Sequence, residues 1–210
     1  MSIYDYEEKF GSADKTTKAM KAAIGDWFSL YYGAEADKDQ DPSQRIAYTV
    51  VNKLVKAMFS EYTATAEDRG CQRLVDGLDQ KKKEAAQLAL IGGECYLKPC
   101  PDGENFGFTL IPRNQMLIFG RDADGEPTDV GTVERSSRDR YFYTLLERRY
   151  LDEKGLLTIE NRLYRSGEEH SLGTQVALSE HPAHENLPEP YRFEVPLKGI
   201  GLGRMKTPML

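Results

Sequence analysis

Residues 84–119, EAAQLALIGGECYLKPCPDGENFGFTLIPRNQMLIF, constrain the fold most, because helix-forming sequence stops there and extended sequence begins. Ala85, Ala86, Leu88, Ala89 and Leu90 favour helix. Gly92 and Gly93 supply the permissive backbone with which a helix ends and turns. Cys95, Tyr96 and Leu97 open an extended run that Pro99 and Pro101 are expected to close. Phe106, Phe108 and Leu110 then alternate with smaller residues, as in a half-buried strand. Pro112 interrupts that ladder, and Met116, Leu117, Ile118 and Phe119 resume it.

Upstream, the pattern is helical. A first helix is expected over Asp14–Tyr32, with Ala19, Ala23, Trp27, Leu30 and Tyr31 on its inner face, Asp14 as cap and Gly33 as stop. The polar segment 34–43 reads as a loop. Pro42 and Ser43 open a second helix to about Tyr62, with Ile46, Val50, Val51, Leu54, Val55, Met58, Phe59 and Tyr62 recurring every three or four residues. A third helix, roughly Cys71–Ile91, turns Leu74, Leu78, Ala85, Leu88 and Ile91 inward and Lys81, Lys82 and Lys83 outward. Residues 1–13 show little periodicity and read as an arm ordered only by contact with something else.

Downstream, turns are expected at 101–105, 122–127, 152–155 and 165–169, a spacing that suits a meander. Tyr141, Tyr143 and Leu145 mark one strand, ended by Tyr150 and Leu151; Leu157, Ile159 and Leu163 mark its partner. The last forty residues, with Pro182, Pro188, Pro190, Pro196 and Pro208, read as connections and short edge strands. The expectation is an α+β fold, with a helical part over 1–93 and a β-rich part over 94–210, the N-terminal helices packing against a C-terminal antiparallel meander.

Composition narrows the function. With 40% apolar and 30% charged residues, the chain has the makeup of a globular protein. A net charge of −6 opposes broad capture of nucleic-acid phosphates. No apolar run approaches the ~18 residues of a membrane span, and MSIYDYEEKF lacks the basic and apolar order of a signal peptide. Three cysteines, Cys71, Cys95 and Cys100, have no framework spacing and read as reduced thiols. No membrane partner and a cytoplasmic setting are expected.

Candidate chemistry competes with plainer readings. Asp122, Asp124 and Asp129 suggest a calcium loop, but the ligand ladder and terminal glutamate of an EF-hand are missing, and a tight turn explains Asp124–Gly125 equally well. His181 and His184, three apart, sit among prolines without a helix to fix them. GIGLG at 199–203 lacks the following helix and the lysine of a phosphate loop. Cys95 and Cys100 lack a second pair for zinc. No metal, cofactor or catalytic residue is therefore assigned.

One enrichment stands out: Arg135, Arg138, Arg140, Arg148, Arg149, Arg162 and Arg165, interleaved with Tyr141, Phe142, Tyr143, Tyr150 and Tyr164. Paired strands can gather such residues into an interface. Alternatively they are solvated strand positions balanced by Glu134, Glu147 and Glu160.

The segments LALIGGECYLKPCPDG, FTLIPRNQMLIFGRDADGEPTDVGTVER and YFYTLLERRYLDEKGLLTIENRLYRS, with LGTQVALSEHP and the closing MKTPML, resemble the front part of portal proteins of tailed phages of Gram-positive hosts. The resemblance runs over roughly Trp27–Leu210. It implies the outer wing of a subunit whose stem, clip and crown would follow Leu210. It further implies a structural, non-enzymatic protein of the virion, assembled in the host cytoplasm. Its partners would be itself in a ring, usually of twelve subunits, then capsid and scaffold proteins. Terminase and head-completion proteins would dock on the parts that follow, and double-stranded DNA would pass through without sequence-specific contact. A head–tail connector or adaptor without a ring is the alternative, and a metal-dependent nucleic-acid enzyme a more distant one.

Overall fold

The computed structural model describes residues 3–33, 45–102, 105–194 and 199–206. The expected loop at 34–43, the opening of the second helix at Pro42–Ser43, the tip of the first hairpin, Pro196, and the closing residues with Pro208 lie outside them.

Among the described residues the elements are 3-10 turns at Ile3–Tyr6, Arg113–Gln115 and Leu178–Glu180, helices α1 (Glu7–Phe10), α2 (Lys18–Tyr32), α3 (Ile46–Met58) and α4 (Arg69–Gly92), and nine strands. These are β1 (Glu94–Asp102), β2 (Asn105–Pro112), β3 (Met116–Arg121), β4 (Pro127–Arg138), β5 (Tyr141–Leu151), β6 (Leu157–Ser166), β7 (Thr174–Val176), β8 (Tyr191–Arg192) and β9 (Gly203–Lys206). The fold is α+β, with helices N-terminal and two antiparallel sheets of three and six strands.

Two compact units divide the chain: Met1–Thr16 with Gln115–Gly201, and Thr17–Asn114 with Leu202–Leu210. Secondary structure changes at Gly92–Gly93, but packing divides elsewhere than at 93/94. The first hairpin stays with the helices, and the N-terminal arm joins the long sheet.

In the helical unit, α4 packs against the sheet β2-β1-β9. Ala85 and Ala89 meet Cys95 and Leu97, and their short side chains let helix and sheet approach closely. The two glycines at the end of α4 have different tasks. A Cβ at Gly92 would lie 2.9 Å from Cβ of Arg113 and from the Phe28 ring, so Gly92 permits close packing. Gly93, at φ 85°, makes the reversal into β1. β1 runs on through Pro99 and Pro101 rather than stopping there. Among the described residues β9 pairs with Glu94–Leu97 and stops short of the prolines, which therefore lie on an outer edge of the strand. Beside the turn, Glu94 meets Arg113 at 3.1 Å and Arg204 at 3.5 Å.

α2 begins later than expected. Thr17 caps it, accepting from the Met20 amide at 3.2 Å, and Gly33 ends it in the left-handed conformation. Ile24, Phe28 and Tyr31 form the buried face, with Ile91, Val51 and Leu88 beside them. Trp27 and Leu30, expected inward, are 41% and 67% exposed. In α3 only Val55 is buried. Lys82, expected outward, instead lies over the Tyr62 ring at 4.4 Å and pairs with Asp79.

In the other unit, β3-β4-β5-β6-β7 is the expected meander, with β8 pairing the far end of β6. The turns between β3 and β4 and between β5 and β6 follow one design. Asp122 accepts from the amides of Asp124 and Glu126, and Asp152 from those of Lys154 and Leu156.

Candidate interface

Strand alternation distributes the arginine–tyrosine set over both faces of the long sheet. Arg135, Arg148, Tyr150, Arg162 and Tyr164 share one face. Tyr141, Tyr143, Arg149 and Arg165 share the other, and Arg138 and Arg140 flank the β4–β5 turn. The set is not one patch.

The first face is covered by the chain's own N-terminus. Ile3, Tyr6 and Phe10 are buried against Leu117, Phe119, Val133, Leu146 and Tyr164. The Phe10 and Phe119 rings lie 5.3 Å apart, over Gly131, where a Cβ would meet both rings at 2.9 Å. Arginines clamp this arm from the sheet. Arg148 donates to the Phe10 carbonyl at 2.9 Å and to Ser12 Oγ at 3.0 Å. Arg162 donates to the Lys9 carbonyl at 2.7 Å, and Arg135 to the Tyr6 hydroxyl at 3.0 Å. The arm then runs along β3: the Lys15 amide donates to the Ile118 carbonyl at 2.7 Å, and Asp14 accepts from the Ile118 amide at 2.9 Å. Asp14 therefore serves the sheet rather than capping α2. The partner that orders the arm is the chain's own sheet. The signal was in the sequence: Ile3, Tyr6 and Phe10 stand at i, i+3 and i+7, one face of a short helix.

Arg148 is also held from behind by a two-point pair with Asp129, at 3.0 and 2.8 Å. That hydrogen bond raises the guanidinium above its ordinary range. Tyr150 donates to Glu160 at 3.0 Å; burial, then that carboxylate, push its hydroxyl up.

On the opposite face, Arg149 and Glu147 form a buried ion pair at 2.7 Å, with Glu147 only 2% exposed, and Arg149 also donates to the Gly201 carbonyl at 3.2 Å. Tyr143 is buried with Leu145, Leu163 and Leu178. Tyr141 lies between the guanidiniums of Arg140, 5.2 Å from its centroid, and Arg165, 4.8 Å away; Arg165 also pairs with Glu180. Arg138 stands exposed, 3.9 Å from Asp139. Arg138 and Arg140, beside the β4–β5 turn, are exposed, as is Arg135 where it donates to Tyr6; the other arginines and tyrosines of the set are buried or half-buried in contacts within the unit.

The remaining motifs resolve into local structure. Asp129 belongs to Arg148, and Asp122 organises its turn. The His181 and His184 rings stack at 4.6 Å, with Tyr143 edge-on to His181. In GIGLG, Gly199 and Gly201 take positive φ, Ile200 is buried and Gly203 starts β9. Burial pushes the Cys95 thiol up to about 12. No group of three or more metal-ligating side chains comes together among the described residues.

Composition of the surface points to a different location. Among the described residues, the large apolar side chains left exposed belong, Tyr191 apart, to the helical unit. Seven of these eleven form two stripes, with Tyr32, Tyr48, Tyr62 and Leu74 outside them. Met20, Trp27 and Leu30 lie along α2, and Ile46, Val50, Leu54 and Met58 recur every fourth residue along α3. Periodicity marks all of these but Met20, and of them it places Trp27 and Leu30 on an inner face. Such contiguous exposure is characteristic of a protein-binding surface.

No family model matches the chain, and no curated protein matches it.

Proposed function

We infer that this protein is a structural assembly subunit, the wing-like N-terminal part of a phage portal, in which copies form a ring around a DNA conduit. The observation that carries the reading is the pair of apolar stripes left exposed on α2 and α3 among the described residues. A chain with 30% charged residues has ample polar side chains to cover those helices, so leaving them apolar favours a protein partner. The composite sequence resemblance favours a neighbouring subunit as that partner.

Charge supports the same reading. A net charge of −6 lets DNA pass a surface without adhering to it. On this reading the arginine clamps give each subunit a rigid sheet, while the helical unit makes contacts. A connector or adaptor that binds without a ring is favoured only if association stops at a small, fixed stoichiometry with another protein.

Sedimentation of the purified chain over a wide concentration range, with electron microscopy of the heaviest species, tests the proposal. Rings with an axial opening are expected. A monomeric mass throughout, with no ring in any field, overturns it.

A further inference from the structure

We propose that the α3 stripe of one copy docks on the α2 stripe of the next, so that copies associate head to tail. The inference rests on the ring reading and names the surfaces that would make it. Ile46, Val50, Leu54 and Met58 lie on one fourth-residue ridge, the kind that packs between ridges of a facing helix. Trp27 and Leu30, with Ala19 and Ala23 on the same side of α2, offer a facing surface with one large anchor.

The large side chains of the α2 stripe are 41–67% exposed and those of the α3 stripe 48–63%, so each stripe has apolar surface for a facing helix to bury.

Charge decides between the two ways of pairing copies. Lys53 lies three residues after Val50, on the exposed side of α3, and α3 has no acidic residue. Asp26 lies three residues after Ala23 and four before Leu30, on the exposed side of α2. An α3–α3 contact would bring lysine to lysine, whereas α3 on α2 brings Lys53 to Asp26. A two-fold dimer would make the same α3–α2 pairing twice across its axis; made once toward each neighbour, as the ring reading requires, the pairing generates a ring or an open filament.

The test uses the whole chain with exposed Cys71 replaced by serine. Leu30→Cys and Leu54→Cys are made separately and together, then oxidised. A disulfide joining the two single variants only when mixed, and a ladder of covalent oligomers from the double variant, are expected. Self-linking of the Leu54→Cys variant alone, or a double variant whose covalent products stop at a dimer, overturns the head-to-tail arrangement. Rings without any 30–54 cross-link overturn this contact and leave the ring reading standing; absence of both rings and cross-links overturns both. As a second measure, Asp26→Lys and Lys53→Asp should each weaken assembly about tenfold, and the double exchange should restore it. Failure of restoration, where each single variant is folded, overturns the charge pairing.

Discussion

Replacing Arg148 by alanine removes four hydrogen bonds at once. Two go to Asp129, and two hold the N-terminal arm through the Phe10 carbonyl and Ser12 Oγ. Arm contacts from a charged donor contribute about 1.5 kcal/mol each at the lower end of their range. With both partners about one-fifth exposed, the ion pair adds at most ~1 kcal/mol after screening. The expected loss is therefore about 3–4 kcal/mol. Arg148→Lys keeps the charge but loses the two-point geometry and should fall between wild type and alanine. Arg162→Ala removes one exposed bond to the Lys9 carbonyl and should cost about 1 kcal/mol or less. Urea unfolding gives the order, and hydrogen exchange at the amides of residues 3–15 locates the effect. Arm amides should lose protection in Arg148→Ala while the central strands β4 and β5 still open only with global unfolding. A loss under 1 kcal/mol, or an arm that stays fully protected, would refute the clamp.

Four further outcomes concern the helical unit. Exposed Cys71 should be alkylated rapidly in the native protein, and Cys95 about 1,000-fold more slowly, since its thiol is pushed up to about 12. Because the raised folded value keeps the Cys95 proton on, its stabilisation is complete below the unfolded thiol value near ~8.5 and is lost as pH rises through the folded one, which alkaline unfolding will register. At the head of α4, the Cys71 amide donates to Asp68 and lowers its carboxyl below the ordinary range. That stabilisation is full above ~3.9 and disappears as pH falls through the lower folded value, so Asp68→Asn should flatten the acid limb of a pH–stability curve. Finally, Gly92→Ala should cost ~1–3 kcal/mol by thermal unfolding, because its methyl meets Phe28 and Arg113.

Much of the β architecture was legible because strands and tight turns carry their constraints locally. The alternation of 141–151 and 157–163, and the Asp-led turns between strands, specify register without reference to distant residues. The arginine set was not legible as a site because its role depends on the arm, some 130 residues away in sequence. Three guanidiniums that looked like surface chemistry are committed to the arm's own carbonyl and hydroxyl groups. Nothing in the spacing of 135–165 could report that. The apolar triad Ile3, Tyr6 and Phe10 could, had it been read as a helix face needing a sheet.

The helices fail more instructively. An amphipathic pattern gives the direction of an apolar face around the helix axis, but not what covers it. In α3 the side facing its own unit is set by particular contacts: Gln87 with Asn52 at 2.6 Å, Tyr31 with Tyr48 at 5.5 Å, and Val51 and Val55 packed inward. Those contacts use one flank of the helix and leave the Ile46–Met58 ridge outside. The same displacement occurs in α2, where Ile24, Phe28 and Tyr31 take the core and Trp27 and Leu30 are turned out. Both helices thus carry more apolar circumference than one core can bury. A single unpartnered stripe could be an accident of packing. Two on neighbouring helices, one bordered by a lysine and the other by an aspartate, are what the proposed contact between copies requires.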